Sequence, residues 1–176
     1  MTAGVALQGL QGRGCTKPGD SVKTSPLSSM ISPRWEELPA MLLAGLRRHH
    51  EMATAPALIP RQWEAFNATP LRATASVSYG VTCAFDGAAR RMEYLCAVEV
   101  PSFDGLPDGT GRMRVPPARY AVFDVHGPAS SIPAAWAQAM QWEATNGEWK
   151  DAHTPAFERY EGAACSLWFP VVKRAG

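Results

Sequence analysis

The sequence has no long apolar run. No stretch approaches the roughly 20 residues that a membrane-crossing helix needs, and the N-terminus lacks the basic-then-apolar order of a signal peptide. There is no excess of either charge. The net charge is +1, and no basic stripe or nucleic-acid motif accompanies it. Direct contact with nucleic acid therefore has no electrostatic support, and no membrane partner is expected. Cysteine is sparse: Cys15, Cys83, Cys96 and Cys165 are far apart and no pair has metal-ligand spacing. They read as reduced thiols of a cytoplasmic protein. Histidine is equally sparse. His49 and His50 are neighbours in an extended stretch, point to opposite faces, and form no chelate with His126 and His153. No nucleotide loop, Ser-His-Asp set or metal-binding helix occurs. Neither a metal nor a cofactor is expected.

What remains is enough for one domain. Apolar residues make up 46% of the 176, sufficient for a core. Residues 1–36 stand apart: "GLQGRGCTKPGDSVKTSPLSSM" is rich in Gly, Ser, Thr and Pro and has no period. We read 1–36 as a flexible leader, with Met30 a candidate start, and 37–174 as the folded domain. "LPAMLLAGLRRHH" predicts a strand near 40–48. "PALIPRQWEAF" predicts a helix that starts near Ile59, with Pro60 in its first turn, Leu58, Trp63 and Phe66 close to helical spacing, and Ile59 and Phe66, seven apart, on one face. "ASVSYGVTCAF" and "MEYLCAVEV" alternate with period two and predict strands joined through Asp86-Gly87. "GRMRV" and "ARYAVFDVHG" predict two more. A helix follows, capped by Ser130 or Ser131, with Pro133 in its first turn and Asn146-Gly147 as a left-handed stop. "AFERYE" and "CSLWFPVVK" predict the closing strands.

One pentapeptide pattern occurs twice. Ile-Pro-x-x-Trp stands at Ile59, Pro60, Trp63 and again at Ile132, Pro133, Trp136. Each copy follows a predicted strand and precedes two more. The chain thus reads as two βαββ repeats of the α+β class, with an extra short strand before the second. One antiparallel sheet carries both helices on one face.

At this level the chain resembles the GyrI-like small-molecule binding domains, which also serve as effector-binding domains of AraC- and MerR-type regulators. The resemblance rests on "IPRQWEAF", "YGV" at Tyr79–Val81, "YLCAVEV", "VPPARYAVFDVHGP", "IPAAW", Trp142 and "PAFERYE". It implies a cleft lined by aromatic rings with a buried glutamate at its floor, here Glu158 of "FERY". It implies ligands that are hydrophobic and often cationic. It also implies a hydrolase of reactive electrophiles as one alternative, and a protein-interaction module as another. The leader is too short and unpatterned for a helix-turn-helix, so a separate binding module is expected. Where relatives end the second helix in Trp-Leu-Pro, this chain has "WEATNG".

The candidate ligand-binding residues are Glu158, Trp63, Trp136, Trp142, Tyr160, Tyr79, Phe66 and Ile59. Glu158 is the charge partner for a cation, and under the hydrolase alternative the catalytic residue. Strand alternation places Glu158 with Tyr160 on one face and Phe157 with Arg159 on the other. Without the resemblance, Glu158 would be an edge glutamate paired with an arginine, and the tryptophans would simply pin helices to the sheet. Tyr94 and Tyr120 read as core, Trp149 as rim, and Glu93 and Glu99 as solvated positions.

Overall fold

The computed structural model describes residues 32–175. The chain runs through β1 (Arg34–Leu38), β2 (Met41–Glu51), α1 (Ala55–Asn67), the single turn α2 (Pro70–Ala73), β3 (Val77–Asp86) and β4 (Arg91–Glu99). It continues through β5 (Gly111–Val115), β6 (Ala118–Val125), α3 (Ile132–Thr145), β7 (Trp149–Asp151), β8 (Phe157–Glu161) and β9 (Ala164–Lys173). The strands form one curled, wholly antiparallel sheet in the order β1-β6-β9-β8-β3-β4-β2-β5.

The two repeats are β2-α1-β3-β4 and β6-α3-β8-β9, and they join where β3 pairs with β8. Each is preceded by a short strand that crosses to the other repeat. β1 lies against β6, and β5 lies against β2. Only β5 was expected from the sequence. β1 begins at Arg34, so the fold reaches into the stretch read as leader. Residues 1–31, with Met30 and Cys15, lie outside the described residues.

Period-two burial splits the sheet into two cores. On the helix-free face Leu43, Val81, Leu95, Val122 and Phe157 are closed off with Tyr79, Tyr120 and Trp168. Among the described residues no helix covers them; curling of the sheet does. On the helix face α1 covers Ala44, Tyr94, Cys96 and Val98, and α3 covers Ala121, Phe123, Leu167 and Phe169. Gln62, 1% exposed, locks α1 down: its amide donates to the Leu46 and Tyr94 carbonyls at 2.8 and 3.0 Å, and its oxygen meets His50 Nε2 at 2.6 Å. His50 is thus a core hydrogen bonder, while His49 points out toward Glu93 on the other face.

Several local expectations shift. α1 starts at Ala55, so Pro60 sits inside the helix. Its ring is exposed, where water can satisfy the carbonyl that loses its donor. A 3₁₀ turn, Ala129–Ser131, leads into α3, and no serine side chain caps that helix. Asn146 is extended rather than left-handed. Its side chain fixes the exit by accepting from Glu148 N at 3.1 Å and donating to Trp149 O at 3.3 Å. This anchors β7, an unforeseen strand. In the β3–β4 hairpin the positive φ falls on Arg90, not on Gly87, because the turn has four residues. Pro170 interrupts β9 without cost: β8 pairs up to Trp168 and β7 from Val171, so the missing N–H faces the gap between them.

Candidate ligand-binding site

The seam between the repeats carries the site. On the helix face one row crosses five strands: Leu167, Glu158, Gly80, Cys96 and Leu46. Gly80 leaves a gap in that row. A Cβ there would lie 2.0 Å from Tyr94 Oη and 2.5 Å from Glu158 Oε2. Strand positions almost never call for glycine unless something approaches the backbone closely, and here a phenol and a carboxylate do.

Glu158 is 8% exposed. Its Oε2 accepts from Tyr94 Oη at 2.6 Å and from Tyr160 Oη at 2.8 Å, and its Oε1 accepts from Trp136 Nε1 at 2.9 Å. Trp63 Nε1 donates in turn to Tyr94 Oη at 3.3 Å. The Trp63 ring meets Tyr160 edge-on, centroids 5.0 Å apart. One carboxylate therefore ties together β4, β8, α3 and, through Tyr94, α1. Among the described residues no lysine or arginine pairs with it. Arg159 lies on the other face and bonds Glu161 at 2.8 Å. The charge of Glu158 is balanced by ring N–H and O–H donors alone, between aromatic walls.

The donors are held protonated. Burial, and next the Glu158 charge, push the Tyr94 and Tyr160 hydroxyls well above their usual value. The same causes, in the same order, push the Cys165 thiol up to about 12. Burial lifts Tyr120 to about 12 and is the largest cause of the rise at Tyr79. These are all four tyrosines of the chain. The folded state therefore keeps protons that the unfolded chain releases near pH 10. This contribution to stability is fully present below that pH and is lost as pH rises through the folded values. Absorbance at 295 nm is expected to show little tyrosinate at pH 10, and to rise together with loss of the circular dichroism signal at higher pH. Substantial ionisation in the still-folded chain would contradict the burial of these rings.

Of the residues singled out from sequence, Glu158, Trp63, Trp136 and Tyr160 meet in this cluster. Phe66, 1% exposed, backs the Trp63 ring at 5.9 Å, and Ile59 packs in the same layer beneath α1. Two others do not join. Tyr79 points to the helix-free face, because its register neighbour Gly80 points to the helix face. Trp142 turns toward Phe123 and Trp35, at 5.5 and 5.9 Å. Trp149 is buried rather than at a rim, 4.8 Å from Trp35 with Arg119 over its ring at 4.7 Å. Sequence reasoning missed Tyr94 and Gly80. The lone glycine inside a strand pattern was the signal that could have found both. Among the described residues no cluster of three or more His, Cys, Asp or Glu is placed to hold a metal ion, and no helix is long and apolar enough to cross a membrane.

The fold has solved counterparts. The chain is similar to an integron cassette protein from the mobile metagenome of Vibrio cholerae, with a TM-score of 0.65, 17% identity, and coverage of 80% of this chain and 96% of that one. It is similar to SAV2435 bound to tetraphenylphosphonium, with a TM-score of 0.66, 14% identity, and coverage of 81% and 94%. It is similar to the C-terminal domain of EcmrR, with a TM-score of 0.53, 18% identity, and coverage of 80% and 97%. No curated protein matches the sequence. A family model described as integron-associated effector binding protein matches residues 34–171, from the first residue of β1 into β9. The chain belongs to that family of effector-binding proteins, and its domain is GyrI-like, as the sequence motifs suggested.

Proposed function

We propose that this chain binds hydrophobic organic cations over Glu158, between α1 and α3. The observation that carries the reading is a buried carboxylate without a cationic side-chain partner, bonded only to aromatic donors. Such a group offers a full negative charge inside a low-dielectric, π-rich wall. Aromatic faces add roughly 0.5–2 kcal/mol of cation–π attraction per ring. The Trp63, Trp136 and Tyr160 rings are the walls available. That the structural neighbour SAV2435 is bound to tetraphenylphosphonium supports the same chemistry. The free thiols of Cys83, Cys96 and Cys165 suit a cytoplasmic setting. Binding is favoured over hydrolysis, because a water-activating carboxylate needs lone pairs open to water. Glu158 is 8% exposed and already accepts from three protein donors.

Tryptophan fluorescence tests this directly, because Trp63 and Trp136 flank the carboxylate. Tetraphenylphosphonium is expected to quench it saturably, and to be recovered chemically unchanged. Glu158→Gln keeps the shape and removes the charge. It is expected to weaken tetraphenylphosphonium about tenfold, a loss of about 1.4 kcal/mol, and to change neutral triphenylphosphine oxide by less than about twofold. Equal losses for both compounds would reject the charge role.

A further inference from the structure

We infer that the site discriminates between kinds of cation: it selects fixed-charge quaternary ions over protonated primary amines of the same skeleton. The inference rests on the ligand reading above and adds which cations that site prefers.

The argument is an inventory of acceptors. A carboxylate offers about four lone-pair positions. Oε2 of Glu158 is filled twice, by Tyr94 and Tyr160, and Oε1 once, by Trp136. One of the two hydroxyls that bond it is occupied as well: Tyr94 Oη accepts from Trp63 Nε1 while donating to Glu158, whereas Tyr160 Oη donates to Glu158 and keeps its own acceptor position. The tryptophan nitrogens are donors only. The site thus presents charge and π faces but few vacant acceptors, one position on Oε1 and one on Tyr160 Oη.

A protonated amine needs acceptors. In water all three N–H groups of a primary ammonium are solvated; against this wall the open acceptors cannot take all three, and the remainder would stay unpaired or would have to break a protein bond to reach Glu158. Either choice offsets the Coulomb gain. A quaternary ammonium or phosphonium ion has no N–H to satisfy. Its charge is spread over alkyl or aryl surface, which the rings desolvate favourably, and its attraction to Glu158 acts through space without a hydrogen bond. The preference therefore follows from how Glu158 is already bonded, not from its charge alone.

The test uses a matched pair, 4-phenylbutyl-trimethylammonium and the protonated primary amine 4-phenylbutylamine, at pH 7, with tetraphenylphosphonium as reference. The quaternary ion is expected to bind about tenfold tighter than the primary one. Trp136→Phe frees Oε1 while keeping a ring in place, and is expected to collapse that ratio toward unity by improving amine binding. Tyr160→Phe frees a position on Oε2 and is expected to act in the same direction, should the first variant fold poorly. Tetraphenylphosphonium binding with equal or tighter affinity for the primary amine would overturn this inference and leave the ligand reading standing. A ratio unmoved by both folded variants would also overturn it. No saturable binding of any of the three cations would overturn the ligand reading, and the inference with it.

Discussion

Gly80→Ala is expected to lose cation binding altogether and to destabilise the fold by about 3 kcal/mol. The new methyl would sit 2.0 Å from Tyr94 Oη and 2.5 Å from Glu158 Oε2, both impossible distances. Something has to move, and little can. Tyr94 is 3% exposed, its ring packed beneath α1, and its hydroxyl is the link between Trp63 and Glu158. Pushing that hydroxyl away breaks two hydrogen bonds at once and leaves a carboxylate in a dry site with one fewer donor. Backbone relief is limited, because Gly80 is paired on both sides, to Cys96 and to Glu158. For a domain of this size about 3 kcal/mol corresponds to a fall in Tm on the order of 10 °C. Thermal unfolding and tetraphenylphosphonium titration of the same preparation check both parts. Wild-type affinity in a Gly80→Ala protein would mean that the carboxylate and Tyr94 need not meet over the strand. The hydrogen-bonded site described above would then be wrong.

The second large effect lies one residue from Glu158 and on the opposite face. Phe157→Ala is expected to cost about 4 kcal/mol of unfolding free energy. Phe157 is fully buried, stacked on Trp168 at 5.7 Å with 14° between the planes, and set against Tyr120 at 5.2 Å and Tyr79 at 5.6 Å. Three aromatic neighbours on a curled sheet cannot close a phenyl-sized void, so most of the cavity cost remains. The binding consequence differs from that at Gly80. At a temperature where the variant is folded, its affinity for tetraphenylphosphonium is expected to stay within about threefold of wild type, a shift below 1 kcal/mol. Denaturant melts read the first quantity and fluorescence titration the second. A binding loss as deep as that of Gly80→Ala, in a folded Phe157→Ala protein, would show that the two faces of β8 are not the separate compartments the register implies.

These two residues show what was legible in advance. Period-two alternation in "AFERYE" is enough to send Glu158 and Tyr160 one way and Phe157 and Arg159 the other, because a strand reverses its side chains at every residue. The same rule applied to "VSYGV" should have turned Tyr79 away from Glu158. It could not do so until the register put Gly80, and not Tyr79, opposite Glu158 on the helix face. Helical spacing brought Trp63 and Trp136 to matching places, since both precede a turn-by-turn apolar stripe. Trp142 follows Trp136 on the same helix, yet β1 crosses over from the other repeat and offers it Trp35 instead. No local pattern encodes such an exchange, because a strand of five residues has no mark that names its partner.

The sequence by itself determined the α+β class, the two repeats, both helices and the long strands, which follow from periodicity, turn chemistry and a repeated motif, all of which act over a few residues. Glu158 was singled out by the resemblance to GyrI-like domains. Only the tertiary structure decided how that carboxylate is bonded. Tyr94 and Glu158 are far apart in the chain and meet because β3 lies between their strands with no side chain at Gly80. Whether a buried charge is paired, bare or saturated depends on which donors the register brings within 3 Å. That is a property of long-range packing, and the proposed preference among cations rests on it.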